Sequence, residues 1–187
     1  PYYNKPTQEG IYQHYKTTAS HTTLPIILYN VPGRSVVNIS TETTVRLSKI
    51  KNIIGTKEAS GDLVQAMKIK KYTDDDFLLI SGDDILTVPM TTTGANGVIS
   101  VLANAIPNKF CQMVKEAIQG NHSSAGQHLL DIVDLNELMY EENNPVDIKQ
   151  LLEELRLCDT TVRLPLVKAS KELASKIKTE VNKLGLS

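Results

Sequence analysis

The stretch Asn52-Ile53-Ile54-Gly55-Thr56-Lys57-Glu58-Ala59-Ser60-Gly61-Asp62 decides how this chain is read. A short apolar run ends on a lysine and passes into small and polar residues, the pattern of a buried strand that delivers an ammonium group at its carboxyl end. Three other apolar runs share this character, at residues 25–29, 77–81 and 97–101. None alternates apolar with polar residues, so each is expected to be a strand covered on both faces, as in a parallel sheet with helices packed around it. Between and after the strands the spacing turns helical. Ser40 is placed to cap a helix with Glu42 in its first turn and Lys49 in its last, and Leu63, Val64 and Met67 offer the apolar stripe of the next. Pro107 opens a third, with Phe110, Met113, Val114, Ala117 and Ile118 at helical spacing and Gly120 as its stop. Further helices are expected over residues 123–140, 145–157 and 167–184, the last carrying Ala169, Leu173, Ile177, Val181 and Leu184. The C-terminal third therefore reads as all helical.

Repeated strand-helix units build either a doubly wound open sheet or part of a (β/α)₈ barrel, and periodicity leaves both open. A whole barrel takes eight units and roughly 250 residues, whereas this chain of 187 residues shows only the runs above. Apolar residues make up 41% and charged ones 22%, which suits a folded domain with a sizeable core and argues against disorder. Twenty basic against 21 acidic residues leave a net charge of -1, without the basic excess of a nucleic-acid protein. No run approaches the ~20 apolar residues of a membrane span, which argues against membrane insertion; the expected location is the cytoplasm. Cys111 and Cys158 are too far apart for a CxxC pair and are expected to be packing residues. The four histidines form no HExxH or His/Cys cluster, and no metal site is expected. Phosphate-binding glycine motifs are absent too. The chain opens Pro1-Tyr2-Tyr3-Asn4, without an initiator Met or a signal-peptide pattern, and reads as the middle of a longer protein.

Both architectures place ligands at the carboxyl ends of their parallel strands. Lys57 ends one run and Tyr29 another. An amine in a semi-buried mouth is one whose charged form desolvation disfavours, the condition for a nucleophile that forms a Schiff base with a carbonyl substrate. The competing reading is that Lys57 reaches solvent and pairs with Glu58. A tyrosine at a strand end is equally at home as a core residue with a wet hydroxyl. If the two strands are neighbours, roughly 4.8 Å apart, the side chains converge and the phenol becomes a proton shuttle for the lysine. Arg34 follows in Tyr29-Asn30-Val31-Pro32-Gly33-Arg34, after a Pro-Gly pair that marks a tight turn; its guanidinium suits a bidentate grip on a carboxylate or a structural salt bridge. Asp83 or Asp84, in Ser81-Gly82-Asp83-Asp84, is better explained as a helix cap than as a base. The acidic runs at residues 74–76 and 141–142 read as solvated loops.

These segments carry a resemblance. Pro1 to Asn4, Tyr29 to Arg34, Gly55 to Gly61, Ser81 to Asp84, Gly97-Val98-Ile99-Ser100-Val101, Asn144-Pro145 and Arg163-Leu164-Pro165-Leu166 follow the order found in the dihydrodipicolinate synthase (4-hydroxy-tetrahydrodipicolinate synthase) family, one of the pyruvate-lysine class I aldolases. The similarity runs essentially the whole length of the chain. It implies an α/β fold: the C-terminal half of a (β/α)₈ TIM barrel, with the last four strand-helix units in residues 1–120, followed by a helical C-terminal domain in residues 121–187. Lys57 would form the imine with pyruvate, with no other cofactor and no metal, because the iminium is itself the electron sink. Tyr29 would donate and accept protons at the site, and Tyr3 would be the relay tyrosine that crosses a dimer interface. Arg34 would bind the carboxylate of aspartate semialdehyde, the backbone of Ile99 would contact pyruvate, and Tyr2 would belong to a lysine effector site.

The implied activity is a lyase that condenses pyruvate with aspartate semialdehyde to 4-hydroxy-tetrahydrodipicolinate, on the route to diaminopimelate and lysine, in a dimer of dimers with no nucleic-acid or membrane partner. Related readings are N-acetylneuraminate lyase, a keto-deoxy sugar acid aldolase, a non-catalytic half barrel and an open flavodoxin-like binding module; the arginine that closes Tyr29 to Arg34 favours the synthase. The family's Gly-Thr-Thr-Gly-Glu motif, whose threonines hold the pyruvate carboxylate, is missing from this sequence. Impaired turnover is therefore expected of these residues by themselves, and the open edges of a half barrel are expected to lead to association with a missing half or with another copy.

Overall fold

Four strands, β1 (Ile26–Asn30), β2 (Ile53–Glu58), β3 (Leu78–Ser81) and β4 (Gly97–Val98), pair in parallel in the order of the chain. The computed structural model that reveals them describes residues 1–186. In a doubly wound sheet the order reverses at a switch point, which puts the first strand inside the sheet. Here every strand neighbours only its predecessor and successor, the progression of strands around a barrel. That order decides between the two architectures that periodicity leaves open. β1 and β4 each have one neighbour among the described residues, so both flanks of the sheet are open.

The chain divides into one compact unit over Pro1–Ile99 and a second that begins at Ser100. In the first, α1 (Gln8–Ser20) starts where the Thr7 hydroxyl accepts the Gly10 N–H at 3.2 Å. After β1 come α2 (Pro32–Ser35) and α3 (Thr41–Leu47); after β2, α4 (Leu63–Tyr72); after β3, α5 (Thr87–Thr92). Ser40 caps α3 as expected, accepting from Thr43 N at 3.2 Å, but the helix stops at Leu47 and Arg46 is the basic residue of its last turn. Lys49 lies beyond the end and pairs with Asp74 at 2.9 Å instead. One core cluster joins these helices to the sheet, through Ile11 of α1, Leu47 of α3 and Ile69 of α4 against Leu28 and Leu79 of the strands.

Two expectations fail here. On α4, Val64 and Met67 are exposed, and the buried positions are Gln65, Ala66 and Ile69. The helix is turned so that the Gln65 amide reaches buried polar partners beneath it, which outweighs the weak pull of two apolar side chains. The strands are also not covered on both sides: Leu28 and Asn30 are 0% and 1% exposed, whereas Ile27 and Tyr29 are 40% and 45% exposed. The helices of this unit pack on one face only. β4 is shorter than its apolar run, because β3 ends at Ser81 and offers only one more bond, from Ile99 N–H to the Ser81 carbonyl at 3.0 Å.

The second unit carries a 3₁₀ turn (Leu102–Asn104) and the helices α6 (Pro107–Ile118), α7 (His122–Asp131), α8 (Val133–Leu138), α9 (Val146–Glu154) and α10 (Lys171–Lys183). α6 buries Phe110, Met113 and Ala117 as its spacing predicts. The single helix expected over residues 123–140 is two, broken at Ile132, where the N–H bonds back only three residues to Leu129. α10 starts at its Ser170 cap rather than near Val167, and residues 155–170 are not helical. Cys111 and Cys158 are exposed free thiols rather than packing residues, since α6 turns Phe110 and Met113 inward and Cys111 out. Asp147, in the first turn of α9, is wholly buried, and that burial pushes its carboxyl above the usual range. No described helix is long and apolar enough to cross a membrane.

Candidate functional site

The parallel register sets Tyr29 opposite Lys57 and Asn30 opposite Glu58. Alternation then sorts them: Tyr29 and Lys57 point to the uncovered face, Asn30 and Glu58 to the helices. Lys57 is half-buried, and its Nζ lies 4.1 Å from the centroid of the Tyr29 ring, within the reach of a cation–π contact. The convergence expected of two neighbouring strand ends is therefore present.

Glycine makes room for it. A Cβ on Gly82, in the turn after β3, would stand 2.6 Å from Ala59 Cβ and 3.0 Å from Lys57 Cε. A Cβ on Gly55 would stand 2.6 Å from the Leu78 carbonyl oxygen. Both contacts are closer than carbon atoms tolerate, so Gly55 lets β3 approach β2 and Gly82 lets the lysine lie along its strand end. The role of Gly82 is invisible in sequence order, because Lys57 and Gly82 meet only across a strand pair.

The competing role for Glu58, as the ion-pair partner of Lys57, is not the one observed. Glu58 is 3% exposed and its carboxylate accepts from Asn30 Nδ2 at 3.0 and 3.1 Å, from Ser60 N at 2.8 Å and from Gln65 Nε2 at 3.1 Å. The sequence reading does not find this network; the signal available is a Glu next to a candidate nucleophile in a short apolar strand.

Arg34 lies exposed on α2, one helical turn rather than the expected tight Pro-Gly turn, with its N–H bonded to the Val31 carbonyl at 2.9 Å. Tyr29 also borders a cavity of about 60 Å³ shared with Tyr15, Ser35 and Val37, where burial pushes the Tyr15 phenol up. Ile99 is 52% exposed, with its N–H committed to Ser81. Tyr2 and Tyr3 are 63% and 84% exposed ahead of α1, and neither side chain makes a hydrogen bond among the described residues. Asp83 behaves as a turn former, its carboxylate accepting from Ile85 N at 3.0 Å. No group of three or more His, Cys, Asp or Glu among the described residues is arranged to hold a metal ion. What the site offers is a primary amine and an exposed phenol beside it, with a guanidinium on the helical turn that follows β1. Such an amine can add to a carbonyl carbon and lose water to give an imine.

Comparison with known proteins shows the family to which the chain belongs. The model of the dihydrodipicolinate synthetase family matches residues 1–184. A 4-hydroxy-tetrahydrodipicolinate synthase of Cytophaga hutchinsonii is 57% identical over 177 residues, 95% of this chain and 60% of that protein. Among solved structures, the dihydrodipicolinate synthase of Thermotoga maritima superposes with a TM-score of 0.97 at 37% identity, over all of this chain and 65% of its own. The chloride-inhibited enzyme of Acinetobacter baumannii, solved with pyruvate, gives 0.96 at 38%, again over all of this chain and 64% of its own. The chain thus spans about three fifths of the length of the relatives it matches. With its strands in barrel order and its lysine and tyrosine paired at their ends, it belongs to the dihydrodipicolinate synthetase family.

Proposed function

We propose that this chain supplies the imine-forming half of a 4-hydroxy-tetrahydrodipicolinate synthase, a lyase of lysine and diaminopimelate biosynthesis. The observation that carries the reading is the Lys57 amine 4.1 Å from the Tyr29 ring on the uncovered face of the sheet. Unprotonated Lys57 adds to the ketone carbon of pyruvate, water leaves, and the iminium acidifies the methyl group. Loss of a methyl proton gives an enamine whose carbon attacks the aldehyde of aspartate semialdehyde, forming the new carbon–carbon bond. The amino group of that substrate then displaces Lys57 from the imine carbon, closing the ring and freeing the lysine. The covalent imine is the only cofactor this scheme uses.

In this reading Tyr29 gives a proton to the carbinolamine oxygen that leaves as water and takes one from the methyl carbon of the iminium, and Tyr3, highly exposed, relays protons from a neighbouring copy. Arg34 holds the carboxylate of the semialdehyde. The Ile99 N–H is already bonded to Ser81, so a backbone contact with pyruvate falls to its carbonyl. Tyr2 belongs to a lysine effector site. The assembled enzyme is a cytoplasmic dimer of dimers, with barrel residues to 120 and a helical domain beyond, and the open sheet flanks pair with further barrel strands or with another copy. A soluble, cooperatively unfolding monomer of these 187 residues would sink that last point.

The test is to incubate the chain with pyruvate, reduce with borohydride and locate the adduct by peptide mass. The expected product is one pyruvate-derived group on Lys57, absent in Lys57→Ala. If none forms, the chain is joined to the portion of the Cytophaga hutchinsonii relative that it does not match. Silence there too would overturn the reading.

A further inference from the structure

Asn30 follows Tyr29, Glu58 follows Lys57, and both turn away from the candidate site toward the helices. Buried there, the Glu58 carboxylate meets neutral donors: the amides of Asn30 and Gln65 and the N–H of Ser60. A buried charge without hydrogen bonds is costly, and one so surrounded holds its donors firmly in turn. Each amide passes the constraint on. Asn30 Nδ2 also donates to Asn38 Oδ1 at 2.7 Å, and Asn30 Oδ1 accepts the Ile39 N–H at 2.9 Å. Asn38 Nδ2 donates to Gln65 Oε1 at 2.9 Å, and Gln65 Nε2 to Glu58.

Asn30 is the last residue of β1, while Asn38 and Ile39 end the segment that follows it. The network therefore ties both ends of residues 31–37, the segment that carries Arg34, to one carboxylate. That segment is not relaxed. Val36 sits at φ 61° and ψ 0°, and is 60% exposed. A β-branched residue avoids that left-handed region, and such a conformation persists only where the surroundings over-determine it. An exposed side chain supplies little of that determination, so it comes from the Val36 N–H, bonded to the Pro32 carbonyl at 2.8 Å, from the clamped ends and from Ser35, whose hydroxyl lies 3.1 and 3.0 Å from the Val31 and Val37 carbonyls.

We infer that Glu58 is a positioning residue: through Asn30, Asn38 and Gln65 it clamps the Arg34 loop in a single conformation and so presents the guanidinium to the carboxylate of the second substrate. The functional half of this statement rests on the proposed role of Arg34; the clamp itself does not. A glutamine at position 58 would turn an NH₂ group against the donors of Asn30, Ser60 or Gln65, leaving one acceptor oxygen where there are two.

Two measurements test it. In the chain as it stands, limited trypsin digestion is followed at the Arg34–Ser35 bond and, for reference, after Arg163 in the second unit. Glu58→Gln is expected to speed cleavage after Arg34 at least tenfold with the Arg163 rate unchanged, because only local opening is affected. Asn38→Ala, which frees the loop while leaving Glu58 its own donors Asn30, Ser60 and Gln65, is expected to do the same. An Arg34 rate within twofold of the parent in both variants, or a rise that Arg163 shares, overturns the clamp. In the fusion with the Cytophaga hutchinsonii portion, Glu58→Gln is expected to raise KM for aspartate semialdehyde about tenfold, with kcat within threefold and the pyruvate adduct on Lys57 unchanged. An unchanged KM overturns the positioning role. Absence of the Lys57 adduct in the fused parent overturns the proposed function instead and leaves the clamp to the trypsin result.

Discussion

Alternate residues of β1 and β2 live in two different worlds. Leu28, Asn30, Thr56 and Glu58, on the helix side, are 0%, 1%, 1% and 3% exposed, while Ile27 and Tyr29, on the other side, are 40% and 45% exposed, with half-buried Lys57 of β2 opposite Tyr29. A strand cannot turn one side chain without turning the next, so a single parallel pair assigns every second residue to each task. The covered set fixes where the strands lie and how they register. The uncovered set is thereby placed within contact distance without having to contribute much to folding. This division explains how a lysine and a tyrosine can be held 4.1 Å apart on a face with no core of its own in the described chain.

The comparison predicts unequal costs for equal truncations. Leu28→Ala removes a fully buried side chain from the cluster that joins the sheet to the helices and is expected to cost about 2–5 kcal/mol. Ile27→Ala, one residue away and 40% exposed, is expected to cost about 1 kcal/mol or less. Urea unfolding at one fixed chain concentration measures both, since any association links stability to concentration. Equal losses would break the division between the faces.

A smaller effect sharpens it from the other side. Gly82→Ala sets a methyl group 3.0 Å from Lys57 Cε and 2.6 Å from Ala59 Cβ. Overpacking of this kind costs about 1–3 kcal/mol, and the softest neighbour is the lysine side chain, which must leave its path along the strand end. The expected outcome is a pyruvate adduct on Lys57 that forms at least tenfold more slowly, while the far-UV circular dichroism stays that of the parent. An unchanged rate would mean that the lysine does not need its present path to react.

The same division sets what the sequence could and could not tell. All four strands were legible, because each is a short apolar run bounded by turn residues, and so was the pairing of Lys57 with Tyr29 once neighbouring strands were assumed. The expectation of two covered faces misled, since Ile27 is apolar whether or not anything packs on it in this chain. α1 was not read as a helix: its buried residues are only Ile11 and Ala19, too sparse a stripe to stand out, and its Thr7 cap is a local signal easily passed over. The rotation of α4 was misjudged for the opposite reason, an attractive stripe of Leu63, Val64 and Met67 that yields to one buried amide. The clamp around Glu58 and the space left by Gly82 escaped altogether. Both depend on residues that lie far apart in the chain, such as Asn30 and Glu58 or Lys57 and Gly82, and no local pattern encodes which side chains a register will bring together.

The smallest predicted effect concerns the one discordant group on the covered face. Thr56 lies opposite Leu28 on one side and Leu79 on the other, both fully buried, and its Oγ1 is buried without a hydrogen-bond partner among the described residues. A helical threonine can bond the carbonyl one turn back, but an extended strand brings no such carbonyl within reach. Burying a hydroxyl unpaired is unfavourable, whereas replacing it by a methyl group of nearly the same shape leaves nothing unsatisfied. Valine also suits a strand at least as well as threonine. Thr56→Val is therefore expected to leave stability unchanged or raise it by up to about 1 kcal/mol, with the Lys57 adduct forming at the parent rate because residue 56 faces the helices and residue 57 does not. A loss of more than about 1 kcal/mol would show that the hydroxyl serves the covered face. A change in adduct rate with stability unchanged would show that the two faces communicate across the strand, against the division argued from alternation.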